Sequence, residues 1–271
     1  MANPHASPAG RWVAALLALL AGCAAPTPVE SPTSAKLASS FADQTPEWMP
    51  IGALDAVVPL FDPERSSLAS GIFVGPGLLL TAAHFARSLT RDDRGDAMLV
   101  VDGRSQRVHP VAIGDMDAPH GDWAVLSVPA VADRPTAAIH EPALLPDWRP
   151  EPGTEILLVG FAAGFFPDLD VFRNAPTPCV RAKVLGGATG QRSWYAVGDD
   201  VDLGGMSGGA AVVWNALSGR AEVIGVFRGY VEAERVSVAD ASFLGLPVGE
   251  KVTRRAGIAF EFQRLPASAL P

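Results

Sequence analysis

Ala69-Ser70-Gly71-Ile72-Phe73-Val74-Gly75, then Pro76-Gly77, then Leu78-Leu79-Leu80-Thr81, then Ala82-Ala83-His84, are two short apolar runs split by a Pro-Gly break and closed by an imidazole. Each run is too short for a stable helix, is rich in Val, Ile, Leu and Phe, and is bounded by turn-forming residues, so both read as strands. The same pattern repeats outward. Ala56 to Phe61 precedes them, and Ala97 to Val101, Val108 to Ile113 and Trp123 to Val128 follow, which makes six candidate strands. A connector with Pro129, Pro135, Pro142, Pro146, Pro150 and Pro152 comes next, where the repeated loss of the N–H donor argues against a central strand. Glu155 to Phe161, Val180 to Leu185, Trp194 to Val197, Ala210 to Trp214, Val223 to Arg228 and Gly257 to Phe262 supply a second six. The chain therefore reads as all-β, in two six-stranded halves that form small barrels or sandwiches.

Composition narrows the function. The chain has 271 residues, 48% hydrophobic and 18% charged, with 27 Gly and 24 Pro, which excludes a coiled coil, a fibrous repeat or a wholly disordered chain. A net charge of −8 offers no basic surface to a phosphate backbone, so no nucleic-acid partner is expected. The two cysteines, Cys23 and Cys179, cannot build a disulfide scaffold or a Cys-rich metal site.

The N-terminal stretch reads as an address. Arg11 precedes an apolar run from Trp12 to Gly22, too short for the roughly 20 residues that span a bilayer, so residues 1–22 are expected to be a signal peptide. Leu20-Ala21-Gly22-Cys23 resembles the bacterial lipobox, which implies cleavage before Cys23, acylation of its thiol and anchoring in a membrane of the bacterial cell envelope. Ala24 after the cysteine, where Asp is absent, points to the outer membrane by the same resemblance. The alternative is an ordinary secretory signal with Cys23 incidental, and it leaves the position of that cysteine unexplained. Residues 23–46 are rich in Pro, Ser, Thr and Ala and read as a tether. The folded domain is expected over 47–265, with a first barrel at about 50–128, the connector at about 129–153 and a second barrel at about 154–265.

Three segments carry chemistry. Leu80-Thr81-Ala82-Ala83-His84 puts an imidazole where a strand gives way to a loop. Gly121-Asp122-Trp123-Ala124-Val125-Leu126 opens an apolar strand with one carboxylate, which would lie at the buried end of a sheet and need a cationic or donor partner. Gly204-Gly205-Met206-Ser207-Gly208-Gly209 lets the backbone turn sharply and leaves a hydroxyl and adjacent N–H groups able to hold an oxyanion.

In the order His84, Asp122, Ser207 these segments resemble the chymotrypsin-like serine proteases, in particular the disulfide-free bacterial members related to the Deg-type proteases. The resemblance covers about 50–265 and implies two six-stranded antiparallel β-barrels with the active site in the cleft between them. It further implies that Ser207 attacks a peptide carbonyl, His84 moves the proton, Asp122 orients the imidazole, and the N–H groups of Gly205 and Ser207 form the oxyanion hole. The substrate is then a protein or peptide, and no cofactor or metal is needed. The residue six before the serine, Val201, falls at the base of the primary pocket and favours apolar side chains, while Asp199, Asp200 and Asp202 nearby would reverse that preference if the register moved by one.

Departures from the family matter. Met206 stands where zymogen-activated members carry an Asp, so no activation cleavage is expected and other contacts must order the oxyanion loop. Phe85 replaces the usual cysteine after the histidine. Gly205-Met206-Ser207-Gly208-Gly209 also fits the nucleophile elbow of α/β-hydrolases, but that fold needs a histidine after the serine and none occurs beyond His140. No H-E-x-x-H is present, and His5, His109, His120 and His140 show no ligand spacing; they read as hydrogen-bonded loop residues. The non-enzymatic alternative is a lipid-anchored pseudoprotease that binds envelope proteins or peptides in the same cleft. The oligomeric state stays open.

Overall fold

Twelve strands and one short helix make up the regular structure of the computed structural model, which describes residues 55–161, 179–186, 193–198, 204–231 and 258–270. Residues 1–54, with Cys23, the expected signal peptide and the tether, lie outside the described residues, as does Val201. Strands β1 (Val57–Asp62), β2 (Ser67–Gly75), β3 (Leu78–Thr81), β4 (Ala97–Val101), β5 (Arg104–Ile113) and β6 (Ala124–Ser127) close into one antiparallel barrel in the order β1-β2-β3-β6-β5-β4. Strands β7 (Glu155–Val159), β8 (Cys179–Gly186), β9 (Trp194–Gly198), β10 (Ala210–Asn215), β11 (Arg220–Val231) and β12 (Ile258–Arg264) close into a second, ordered β10-β11-β12-β9-β8-β7.

Every candidate strand is present, and the differences lie at the ends. β5 and β11 start earlier than their apolar stretches because hairpin pairing recruits polar residues. Arg104 pairs with Val101, and Arg220 pairs with Asn215, through backbone groups that need no apolar side chain. The loop expected after Thr81 is instead helix α1 (Ala83–Ser88), a run without Gly, Pro or β-branched residues. The connector holds two 3-10 turns, and its Ile139 bridges Val223 in parallel. It also ties the barrels together, since Ala137 N–H donates to the Phe73 carbonyl and His140 N–H to that of Val223.

Unbroken apolar runs such as Ile72-Phe73-Val74 and Leu78-Leu79-Leu80 follow from burial on both faces of the strand. Phe73, Leu79, Val58, Leu60, Ala124 and Leu126 point into the first barrel. Their neighbours Ile72, Val74, Leu80, Val57 and Val125 join a second cluster with Ile156, Phe227 and Phe262. Strand alternation thus sorts one face of β1, β2, β3 and β6 into the barrel and the other into the interface with the second barrel. Phe73, Phe227 and Phe262 are completely buried, each worth about 2–3 kcal/mol in area removed from water. Cys179 on β8 is a buried core residue.

Candidate active site

His84 and Asp122 stand 38 residues apart and meet because β3 pairs with β6. Thr81 is the register partner of Ala124, so the chain leaving β3 and the chain entering β6 lie side by side. His84 stands three residues after Thr81, in the first turn of α1, and Asp122 sits just ahead of β6. The contact is made twice. The His84 backbone N–H donates to Asp122 Oδ1 at 2.9 Å, and Nδ1 lies 2.8 Å from Oδ2. The carboxylate is 3% exposed while the imidazole is 38% exposed, so one ring nitrogen is committed to a buried acid and the ring keeps access to solvent. This is the geometry by which an acid fixes a tautomer and leaves Nε2 to accept a proton.

Ser207 arrives from the second barrel. Its turn is pinned on both sides: Gly208 N–H donates to the Phe227 carbonyl, Phe227 N–H to the Gly209 carbonyl, and Gly209 N–H to the Met206 carbonyl. Gly205 and Gly208 take φ of 93° and 87°, the left-handed region where a side chain is strained. The turn docks on the first barrel, where Ser70 N–H donates to the Ser207 carbonyl at 2.8 Å. Thr81 Oγ1 in turn donates to the Ser70 carbonyl at 2.7 Å, so the hydroxyl-bearing turn docks on β2 beside the end of the strand that leads into His84. Met206 is 1% exposed and belongs to the apolar cluster of the second barrel, with its Cγ against Gly160. The loop is held there by packing. Among the described residues the amides of Gly205 and Ser207 have no hydrogen-bond partner, which leaves both N–H groups available to a ligand. Ser207 Oγ donates to the Arg228 carbonyl at 3.0 Å and not to His84.

The family model of the trypsin-like peptidase domain matches residues 69–226, more than half of the chain and from β2 into β11. The chain belongs to that family. Among solved structures the peptidase is similar to the inactive form of the Rv3671c protease, with a TM-score of 0.45 and 16% identity over 89% of this chain and 92% of that one. It is also similar to the active form of the Rv3671c protease from M. tuberculosis, with a TM-score of 0.42 and 16% identity over 89% of this chain and 83% of that one. No curated protein matches it.

Asp122 has the cationic partner that its burial demands, and the reading of the sequence did not name it. Arg228, on β11 of the second barrel, donates from Nε to Asp122 Oδ2 at 3.0 Å, the same oxygen that His84 uses. Burial alone would raise the Asp122 carboxyl; the hydrogen bonds and charge of His84, with the charge of Arg228, outweigh it and hold the group below the usual carboxylate range. Behind Arg228 stands Glu261 on β12, accepting from Nη1 at 2.5 Å and from the Ser193 hydroxyl, which itself accepts from Gln263 Nε2 at 2.6 Å. The signal available in the sequence was a charged residue ending an apolar strand, Val223 to Arg228, together with the stated need of Asp122 for a donor.

The other described histidines of the peptidase are hydrogen-bonded, each in its own setting. His109 lies not in a loop but on β5, where hairpin pairing with β4 extends the strand, and it pairs with Asp96 at the surface. His140 holds the buried Glu222 at 2.7 Å and so fastens the connector to β11. His120 accepts from the Arg264 N–H through Nδ1 and packs on Trp194, and burial, then the charges of Arg264 and Arg149, push its imidazole down to about 4. Among the described residues no cluster of three or more His, Cys, Asp or Glu side chains is placed to hold a metal ion.

Proposed function

We propose that this peptidase is a serine endopeptidase that cuts peptide bonds in proteins through an acyl-enzyme, with Ser207, His84 and Asp122 as its triad. The observation that carries the reading is the doubled His84–Asp122 contact on the first barrel with the Ser207 turn seated on β2, the strand paired with the one that leads into His84. To react, Ser207 Oγ leaves the Arg228 carbonyl by a side-chain rotation and turns to His84 Nε2. It then attacks the substrate carbonyl carbon while Nε2 takes its proton, and Asp122 stabilises the imidazolium. The carbonyl oxygen becomes an oxyanion facing the Gly205 and Ser207 amides. The C–N bond breaks, the amine leaves with the proton from His84, and water repeats the sequence to free Ser207.

Counting six residues back from Ser207, the sequence resemblance would put Val201 at the base of the primary pocket and favour small or medium apolar residues on the acyl side of the cut; an Asp199, Asp200 or Asp202 base would instead favour Arg or Lys. The kinship to Deg-type proteases and the anchoring of acylated Cys23 in the outer membrane belong to the same proposal and rest on the sequence motifs alone. A fluorophosphonate probe tests the mechanism: wild-type protein is labelled and cleaves unfolded protein, and Ser207→Ala is not labelled. Folded wild-type protein that stays unlabelled at every pH from about 6 to 9 overturns it. Mass spectrometry tests the anchor, which an unmodified Cys23 in a mature, membrane-free protein would refute.

A further inference from the structure

Asp122 Oδ2 is shared by two donors of different kind, the imidazole that the reaction uses and a guanidinium that it does not. Arg228 sits at a register shift between Phe227 and Gly229 in the β11–β12 ladder, and such an irregularity re-aims a side chain. Here the side chain crosses from the second barrel to the acid of the first. Its other end is fixed by Glu261, which the Ser193 and Gln263 side chains hold in turn, so the guanidinium is braced at both ends. The backbone carbonyl of the same residue receives the Ser207 hydroxyl. One residue therefore touches both the acid and the nucleophile.

We propose that Arg228 is a positioning residue of the triad, which holds Asp122 toward His84 through Oδ2 and whose fixed charge, partly offset by Glu261, opposes an imidazolium at His84. This rests on the serine-peptidase reading above. A fixed cation on Oδ2 spends part of the carboxylate's field that would otherwise stabilise the imidazolium, and it repels that imidazolium directly. Glu261 counters the cation in part. The charged and titratable groups around the pair are Arg228 on β11, Glu261 on β12, Tyr195 on β9 behind them, and Arg87 on α1, whose guanidinium is turned to the Gly114 carbonyl. Arg228 and Glu261 thus act with opposite sign on any charge that His84 takes up.

The test uses that opposition. In Arg228→Gln, the acid limb of the pH profile of kcat/KM should move up by about one pH unit, while in Glu261→Gln, which leaves the guanidinium uncompensated, it should move down. Arg228→Lys, with the charge kept, should stay closer to wild type than Arg228→Gln. The His84 imidazole resonance followed by NMR against pH should show the same three results without any turnover, so a silent wild-type enzyme that shows these shifts refutes the peptidase mechanism and leaves the role of Arg228 standing. A labelling-competent wild type whose variants both shift the same way, or do not shift, overturns the role of Arg228 alone. If Arg228→Gln fails to fold, Glu261→Gln and Arg228→Lys still decide the sign.

Discussion

Replacing Gly208 by Ala tests whether the Ser207 turn is wedged between the barrels as described. A Cβ built on Gly208 would lie 2.2 Å from the Ser70 carbonyl oxygen, 2.2 Å from Thr81 Oγ1 and 3.0 Å from the Ala82 nitrogen. Two of these are backbone atoms that cannot rotate away, so the turn must move off β2 and β3 by about 1 Å before the contacts become tolerable. That displacement loosens the two hydrogen bonds that the turn itself makes, from Ser70 N–H to the Ser207 carbonyl and from Gly208 N–H to the Phe227 carbonyl, about 1 kcal/mol each. The left-handed φ of 87° adds about 1–2 kcal/mol for any residue with a Cβ. The expected loss is about 3–4 kcal/mol, a fall in Tm of roughly 6–16 °C for a domain of this size. Gly219 is the matched control, with φ of 64° and nothing within 4 Å of its Cβ. Gly219→Ala should show only the conformational cost, about 1–2 kcal/mol and a few degrees. Thermal unfolding followed by circular dichroism measures both, with fluorophosphonate labelling as a second readout that should slow in Gly208→Ala and not in Gly219→Ala. Equal falls in Tm for the two variants, or a Gly208→Ala protein within about 2 °C of wild type, would refute the wedge.

Two further outcomes follow from single side chains. Asp122→Asn should retain the fold but lower turnover by on the order of 10⁴, because an amide can present its N–H₂ to Nδ1 and hold the wrong tautomer; steady-state kinetics beside a circular dichroism spectrum checks it. His120 is held neutral, titrating near 4 when folded against 6.5 for a free imidazole. Between those pH values the unfolded chain binds a proton that the native state refuses, so stability is full above about 6.5 and falls as pH drops toward 4. His120→Asn keeps an acceptor for the Arg264 N–H and tolerates the positive φ of 54° at this position. Urea midpoints taken from pH 7 down to about 4 should therefore fall less in His120→Asn than in wild type; parallel curves would remove His120 as the cause.

Local sequence was enough for the strands and for the three chemistry-bearing segments. A run such as Leu78-Leu79-Leu80-Thr81 between Pro76-Gly77 and Ala82 has few conformations open to it, and glycines around Ser207 permit turns that other residues resist. The division into two sixes was legible for the same reason, since the prolines of the connector break any ladder. Helix α1 was not, because six residues form a helix only when their apolar side, here Phe85 and Ala86, finds a core to cover.

What tertiary structure alone decided is which distant residues share an atom. The strand pattern contains Thr81 and Ala124 but not their pairing, and that pairing sets the 2.8 Å contact of His84 with Asp122. Arg228 lies 106 residues from Asp122, and nothing in the spacing of either points to the other. A buried carboxylate announces that it needs a partner because desolvation is costly. Which partner it receives depends on how two closed barrels dock, and that is set by the outward faces of β1, β2, β3 and β6, summed over many weak apolar contacts that no short motif encodes.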